Sequence, residues 1–133
     1  MTLPNEVARL IEYAKQDVVA RGDGIESVRL TPQPLAGQGF SMGITSFPPG
    51  ASIRLHSHNT IEQVTVVEGA GVAVIQGEEL PARPYDTTQI PAGAFHRFVN
   101  TGDTWMRILW VYGSTHVTRT FADTGETVDQ FDS

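Results

Sequence analysis

The apolar positions of this chain follow two rhythms. Over residues 5–16, Val7, Leu10, Ile11 and Ala14 recur at helical spacing, with Asn5 placed to cap, and predict one short amphipathic N-terminal helix. Such a helix either lies against the outside of the domain or forms a contact with a second copy. From about residue 17 the period becomes that of strands. Val18-Val19-Ala20 and Ser27 to Thr31 flank the turn Gly22-Asp23-Gly24. Phe40 to Phe47 stops at Pro48-Pro49-Gly50, and Ile53 to His58 ends at Asn59-Thr60. The β-branched run Val64 to Val67 turns through Gly69-Ala70-Gly71 into Val72 to Ile75, and Gln76-Gly77-Glu78-Glu79 reads as the next turn. Thr87 to Ile90, Phe95 to Asn100 and Trp105 to Tyr112 complete the series. Many short strands between turn signals predict an all-β sandwich or barrel. The polar, acidic tail over residues 115–133 reads as partly extended along the surface.

Composition narrows the class. The 133 residues suit one domain, and 40% hydrophobic with 18% charged residues is an ordinary globular balance. A formal net charge of −6, with nine scattered Lys and Arg, argues against nucleic acid as a partner. Without cysteine there is no disulfide and no zinc-thiolate site. Met1 to Glu6 lacks the basic and apolar regions of a signal peptide, and no apolar run reaches the length of a membrane span. The expectation is a cytoplasmic protein with no membrane partner.

Candidate chemistry is concentrated between Gly50 and Asn100. His56-Ser57-His58 is followed by Glu62, and His96 comes later after Pro91-Ala92-Gly93. On a strand, residues two apart face the same way, so His56 and His58 point inward together. The Asn59-Thr60 turn lets Glu62 open the neighbouring strand beside them, and His96 arrives from a third. Imidazole and carboxylate together suit divalent first-row metals, here iron, manganese, nickel, zinc or copper. Gly50 and Gly93 sit where tight turns call for positive φ. His116 lies outside the pattern and reads as a surface residue.

At these residues the chain resembles the cupin superfamily. The motif G-x5-H-x-H-x3-E-x6-G is matched by Gly50, His56, His58, Glu62 and Gly69. The motif G-x5-P-x-G-x2-H-x3-N is matched by Pro91, Gly93, His96 and Asn100, with Tyr85 in place of its first glycine. Because tyrosine disfavours positive φ, the Pro84-Tyr85 turn is expected to take another form. The resemblance implies a double-stranded β-helix, or jelly-roll, barrel with its core at about residues 25–113, often as a homodimer. It implies one divalent metal per chain held by His56, His58, Glu62 and His96. The family spans dioxygenases, decarboxylases, isomerases and sugar-binding proteins, so the fold does not choose the reaction.

Four protein ligands on an octahedral metal leave two positions open, which suits a small substrate with two adjacent oxygens. By parity, Arg54 shares a face with His56 and His58, Val64 and Val66 with Glu62, and Phe98 and Asn100 with His96. Arg54 either binds a substrate carboxylate or is a solvated rim residue. Trp110 and Tyr112 share a face and, with Trp105, either wall the pocket or belong to the core or a dimer contact. Gln63 faces away from the metal. Two functions remain open. One is a metal-dependent dioxygenase or isomerase acting on a small oxygenated acid, ketone or sugar-derived substrate. The other is a non-catalytic module binding a metal or small ligand. The lack of an obvious general base beyond the ligand set weakens the isomerase version.

Overall fold

A computed structural model of the chain describes residues 4–130. Among these, twelve strands form two antiparallel sheets facing each other. In chain order the strands are β1 (Val18–Gly22), β2 (Ile25–Arg29), β3 (Ser41–Phe47), β4 (His56–His58), β5 (Glu62–Glu68) and β6 (Gly71–Ile75). They continue with β7 (Glu78–Ala82), β8 (Thr87–Ile90), β9 (His96–Val99), β10 (Met106–Tyr112), β11 (Thr118–Phe121) and β12 (Thr127–Asp129). One sheet runs β1-β2-β3-β10-β5-β8 and the other β12-β11-β4-β9-β6-β7. This is the jelly-roll barrel expected from the motifs, and its sheets extend beyond residues 25–113 through β1, β11 and β12.

Alternation decides which side of each strand turns inward. β10 buries Met106, Ile108, Trp110 and Tyr112 and leaves Arg107 exposed. β5 buries Glu62, Val64 and Val66 while Gln63 faces out, where its side-chain carbonyl accepts from Gln89 at 2.9 Å. Phe47, Ile25, Ala73, Ile90 and Phe98 fill the rest of the interior. Each large apolar side chain buried this way contributes about 1.5–3 kcal/mol against the entropy of ordering the chain. Asn100 closes the second motif. Its buried amide group donates to the carbonyls of Phe47, Pro48 and Thr104, and its own side-chain carbonyl accepts from Gly102 N–H.

The structure corrects several expectations. The N-terminal helix is absent: residues 5–16 contain only short 3-10 turns, at Pro4–Glu6 and Tyr13–Lys15. Val7 and Leu10 are exposed, so no face is buried to offset the cost of nucleating a helix this short. Asn5 is tied instead through its backbone carbonyl to Ala36 N–H. The strand expected over Ile53 to His58 is regular only from His56. Glu78-Glu79, read as turn residues, open β7, and part of the tail forms the β11–β12 hairpin. Residues 131–133 of that tail, and 1–3 at the other end, lie outside the described residues. Tyr85 does adopt positive φ, at 75°, so the turn keeps the conformation of the glycine it replaces. The surrounding bonds hold it there: Asp86 accepts from Arg83 N–H, and Tyr85 N–H binds the Val66 carbonyl. The Tyr85 side chain itself is 80% exposed and meets no obstacle.

Candidate metal centre

Both sheets contribute to the site. β4 supplies His56 and His58, β9 supplies His96 directly opposite His56 in the ladder, and β5 supplies Glu62 from the other sheet. Gly50 and Gly93, at φ of 80° and 81°, shape the turns leading to β4 and β9. All four side chains are buried.

Each imidazole is oriented by the backbone. His56 Nδ1 lies 2.7 Å from the Arg54 carbonyl, His58 Nδ1 3.0 Å from that of Thr118, and His96 Nδ1 2.9 Å from that of Ala94. A carbonyl only accepts, so Nδ1 carries the proton in all three rings and the Nε2 lone pair is left available to coordinate. The three Nε2 atoms converge. His56 Nε2 is 3.2 Å from His58 Nε2, and Glu62 Oε1 is 3.0 Å from His96 Nε2 and 3.6 Å from His58 Nε2.

Electrostatics sharpen the picture. Burial, reinforced by the charge of neighbouring histidine, lowers His56 to about 3 and His58 to about 2, so both are neutral. Burial also pulls His96 down, but the close contact and negative charge of Glu62 outweigh it and hold that imidazole above its ordinary value. Glu62 Oε1 is within ion-pair distance of His96, yet no donor is aligned on it. Two imidazole lone pairs facing each other at 3.2 Å, beside a buried carboxylate oxygen, repel unless a cation lies between them. Two ligand atoms each about 2.1 Å from one ion at right angles stand about 3 Å apart, close to the shorter separations here. The three histidines can therefore hold a metal ion, and the Glu62 carboxylate lies beside two of them.

Above the centre lies a narrow inner cavity with about 30 Å³ of free space, room for a water or two. Phe98, Ile108, Trp110 and Tyr112 line it together with Arg21 and Arg119. It opens to a larger recess of about 290 Å³, lined by Ala20, Arg54 and Phe121 among others. Phe98, Trp110 and Tyr112 therefore line the inner cavity. Trp110 Nε1 donates to Thr45 Oγ1 at 2.8 Å, and Tyr112 receives a bond from Gln130 Nε2 at 3.1 Å. Burial, then the negative charge of Glu62, pushes the Tyr112 phenol well above its ordinary value, so it stays protonated.

Arg54 belongs to the outer recess only. It precedes the regular part of β4, is exposed, pairs with Asp123 at 2.7 Å and stacks on Phe121. Trp105 is likewise exposed, and His116 sits on the surface as expected. Sequence reasoning missed Arg21 and Arg119. Arg119 is on β11, directly opposite His58, and so shares its inward face. No periodic apolar pattern marked that strand.

The family described as "Cupin domain" matches residues 43–112, more than half of the chain. A polyketide synthase protein from Streptomyces cyaneus is 34% identical over 91 residues, covering 68% of this chain and 58% of the relative. A 5-nitrosalicylic acid 1,2-dioxygenase from Bradyrhizobium is 32% identical over 65 residues, covering 49% and 31%. The chain thus spans about a third of that dioxygenase and a little over half of the Streptomyces protein. Among solved structures, a sugar phosphate isomerase of the cupin superfamily from Silicibacter pomeroyi superposes with a TM-score of 0.74 at 29% identity, covering 93% of this chain and 88% of that one.

Proposed function

This chain belongs to the cupin domain family, and from that membership we propose a metal-dependent enzyme of the dioxygenase type, acting on a small oxygenated acid, ketone or sugar-derived substrate. The proposed ligands are His56, His58, Glu62 and His96, holding one divalent ion of iron, manganese, nickel, zinc or copper. The observation carrying the reading is the convergence of three backbone-oriented imidazoles beside a buried carboxylate, at the wall of an inner cavity. Bound there, the ion would supply Lewis acidity or, as iron, redox chemistry with dioxygen. The protein's own groups do the rest. Phe98, Ile108 and Trp110 keep bulk water from the inner cavity. Tyr112, held protonated, can donate a hydrogen bond to a substrate oxygen.

The relatives named above include both a dioxygenase and an isomerase. An isomerase moves a proton and needs a base. Among the described residues lining the inner cavity, the titratable groups outside the ligand set are Arg21, Arg119 and Tyr112, none of which is a base at neutral pH. That observation favours the oxygen-dependent reading.

Metal analysis tests the ligand set. The purified protein is expected to carry about one ion per chain, and His56→Ala and His96→Ala to lose most of it; unchanged metal content in these variants sinks the assignment. An iron-loaded protein that binds catechols, diketones or hydroxy acids without consuming oxygen would instead be a non-catalytic binding module. We also propose a homodimer, supported by the exposed apolar side chains Val7, Leu10, Val18 and Leu35 and by β1 standing at the edge of its sheet. A solution mass equal to one chain contradicts it.

A further inference from the structure

We infer that Arg21 and Arg119 form an anion-binding neck between the outer recess and the metal centre, so that the substrate enters as a carboxylate or phosphate. The inference rests on the proposed site and concerns what that site admits. Four residues line both the inner cavity and the outer recess: Arg21, Ile53, His56 and Arg119. A ligand moving from the recess into the inner cavity therefore meets both arginine side chains. The inner cavity accommodates little beyond a small polar group. The body of a larger substrate therefore stays in the recess while its anionic end occupies the neck.

Both arginines are built into place. Arg119 is the cross-strand partner of His58, with Phe121 two residues on and opposite His56. Register thus turns Arg119 and Phe121 toward the centre, and the Arg119 guanidinium lies 5.1 Å from the Phe121 ring. Arg21 sits at the irregularity where β1 slips against β2 between Ala20 and Gly22. Its Nε donates to Ser27 Oγ at 3.3 Å, Ser27 pairs with Thr45 at 2.7 Å, and Thr45 accepts from Trp110. A polar chain across β2, β3 and β10 thereby aims Arg21 inward.

Placing two cations here carries a cost. Burial, then the charge of Arg119, lowers Arg21 to about 10, and burial lowers Arg119 as well. An anion bridging them removes the repulsion and gains charge-assisted hydrogen bonds. Neither arginine lies within residues 43–112, the span that the cupin domain family matches.

The test is calorimetric binding of inorganic phosphate, glycolate and neutral glycolamide to the full chain, with and without zinc. At least one anion is expected to bind about tenfold or more tightly than glycolamide. Arg21→Gln and Arg119→Gln should each weaken that anion by about tenfold, with zinc content unchanged. Tighter phosphate binding identifies a phosphorylated substrate, and tighter glycolate binding a carboxylic acid. Anions that bind no better than glycolamide overturn the inference even if neither variant folds. Folded variants of undiminished affinity overturn it too. Arginine-dependent anion binding by a protein that takes up none of iron, manganese, nickel, zinc or copper would leave the neck standing and remove the metal assignment instead.

Discussion

Tyr85 occupies a left-handed backbone position that glycine takes at little cost and an L-residue with a side chain takes at about 1–2 kcal/mol. Because the ring is exposed and packs on little, Tyr85→Gly should stabilise the protein by about 0.5–1 kcal/mol after the entropy of the unfolded glycine is counted. A higher urea midpoint at unchanged slope would show it, and a lower one would mean the ring is in contact with something else. The histidines set a second expectation. His56 and His58 titrate in the fold at about 3 and about 2, below their unfolded value near 6.5. As pH falls from about 6.5 toward 3, the unfolded chain takes up protons that the folded chain refuses, so stability from these two residues is present above that window and lost within it. His96, whose value is raised, works in the opposite sense but is one against two. Denaturation midpoints of chelated protein should therefore fall steadily between pH 7 and pH 4; a flat profile would mean these rings protonate freely in the fold. At this scale His56, His58 and Glu62 were legible because their spacing is local, and His96 through its place in the second motif. Arg21 and Arg119 were not, since only β1 slippage and the β4–β11 register bring distant positions together.

Gly43 lets β3 pass beneath the ring of Trp110. A Cβ at this position would stand 2.2 Å from the Trp110 ring and 2.5 Å from the Val28 carbonyl. Gly43→Ala should destabilise by about 1–3 kcal/mol and perturb Trp110, measured by denaturant midpoint together with tryptophan fluorescence. An unchanged midpoint would show that β3 and β10 can slide apart. Strands with strict alternation, such as β5 and β10, were readable from period alone. The helix over residues 5–16 was predicted from an apolar stripe that finds nothing to cover it. β7 was hidden because Glu78-Glu79-Leu80-Pro81 is exposed and reads as a polar turn. β11 and β12 were hidden because threonine and charge fill them, their pairing being decided by β4 rather than by their own composition.

For the whole molecule, the proposed ligands tie β4 and β9 of one sheet to β5 of the other. An ion bound there would favour the folded state by about 2.7 kcal/mol at a hundred times its dissociation constant. For a chain of 133 residues that corresponds to about 10 °C in the unfolding midpoint. Chelation followed by calorimetry should show the loss and re-addition of metal should restore it; coincident curves would mean no ion bridges the sheets. Among the described residues no helix is long and apolar enough to cross a membrane. The three imidazoles take their orientation from main-chain carbonyls of Arg54, Ala94 and Thr118. Every amino acid brings that carbonyl, so the side chains at those three positions are free to drift over generations without unseating the centre. The geometry of the site is thereby insulated from much of the mutation around it, and its neighbours can be remodelled for new ligands while the core of the chemistry stays in place.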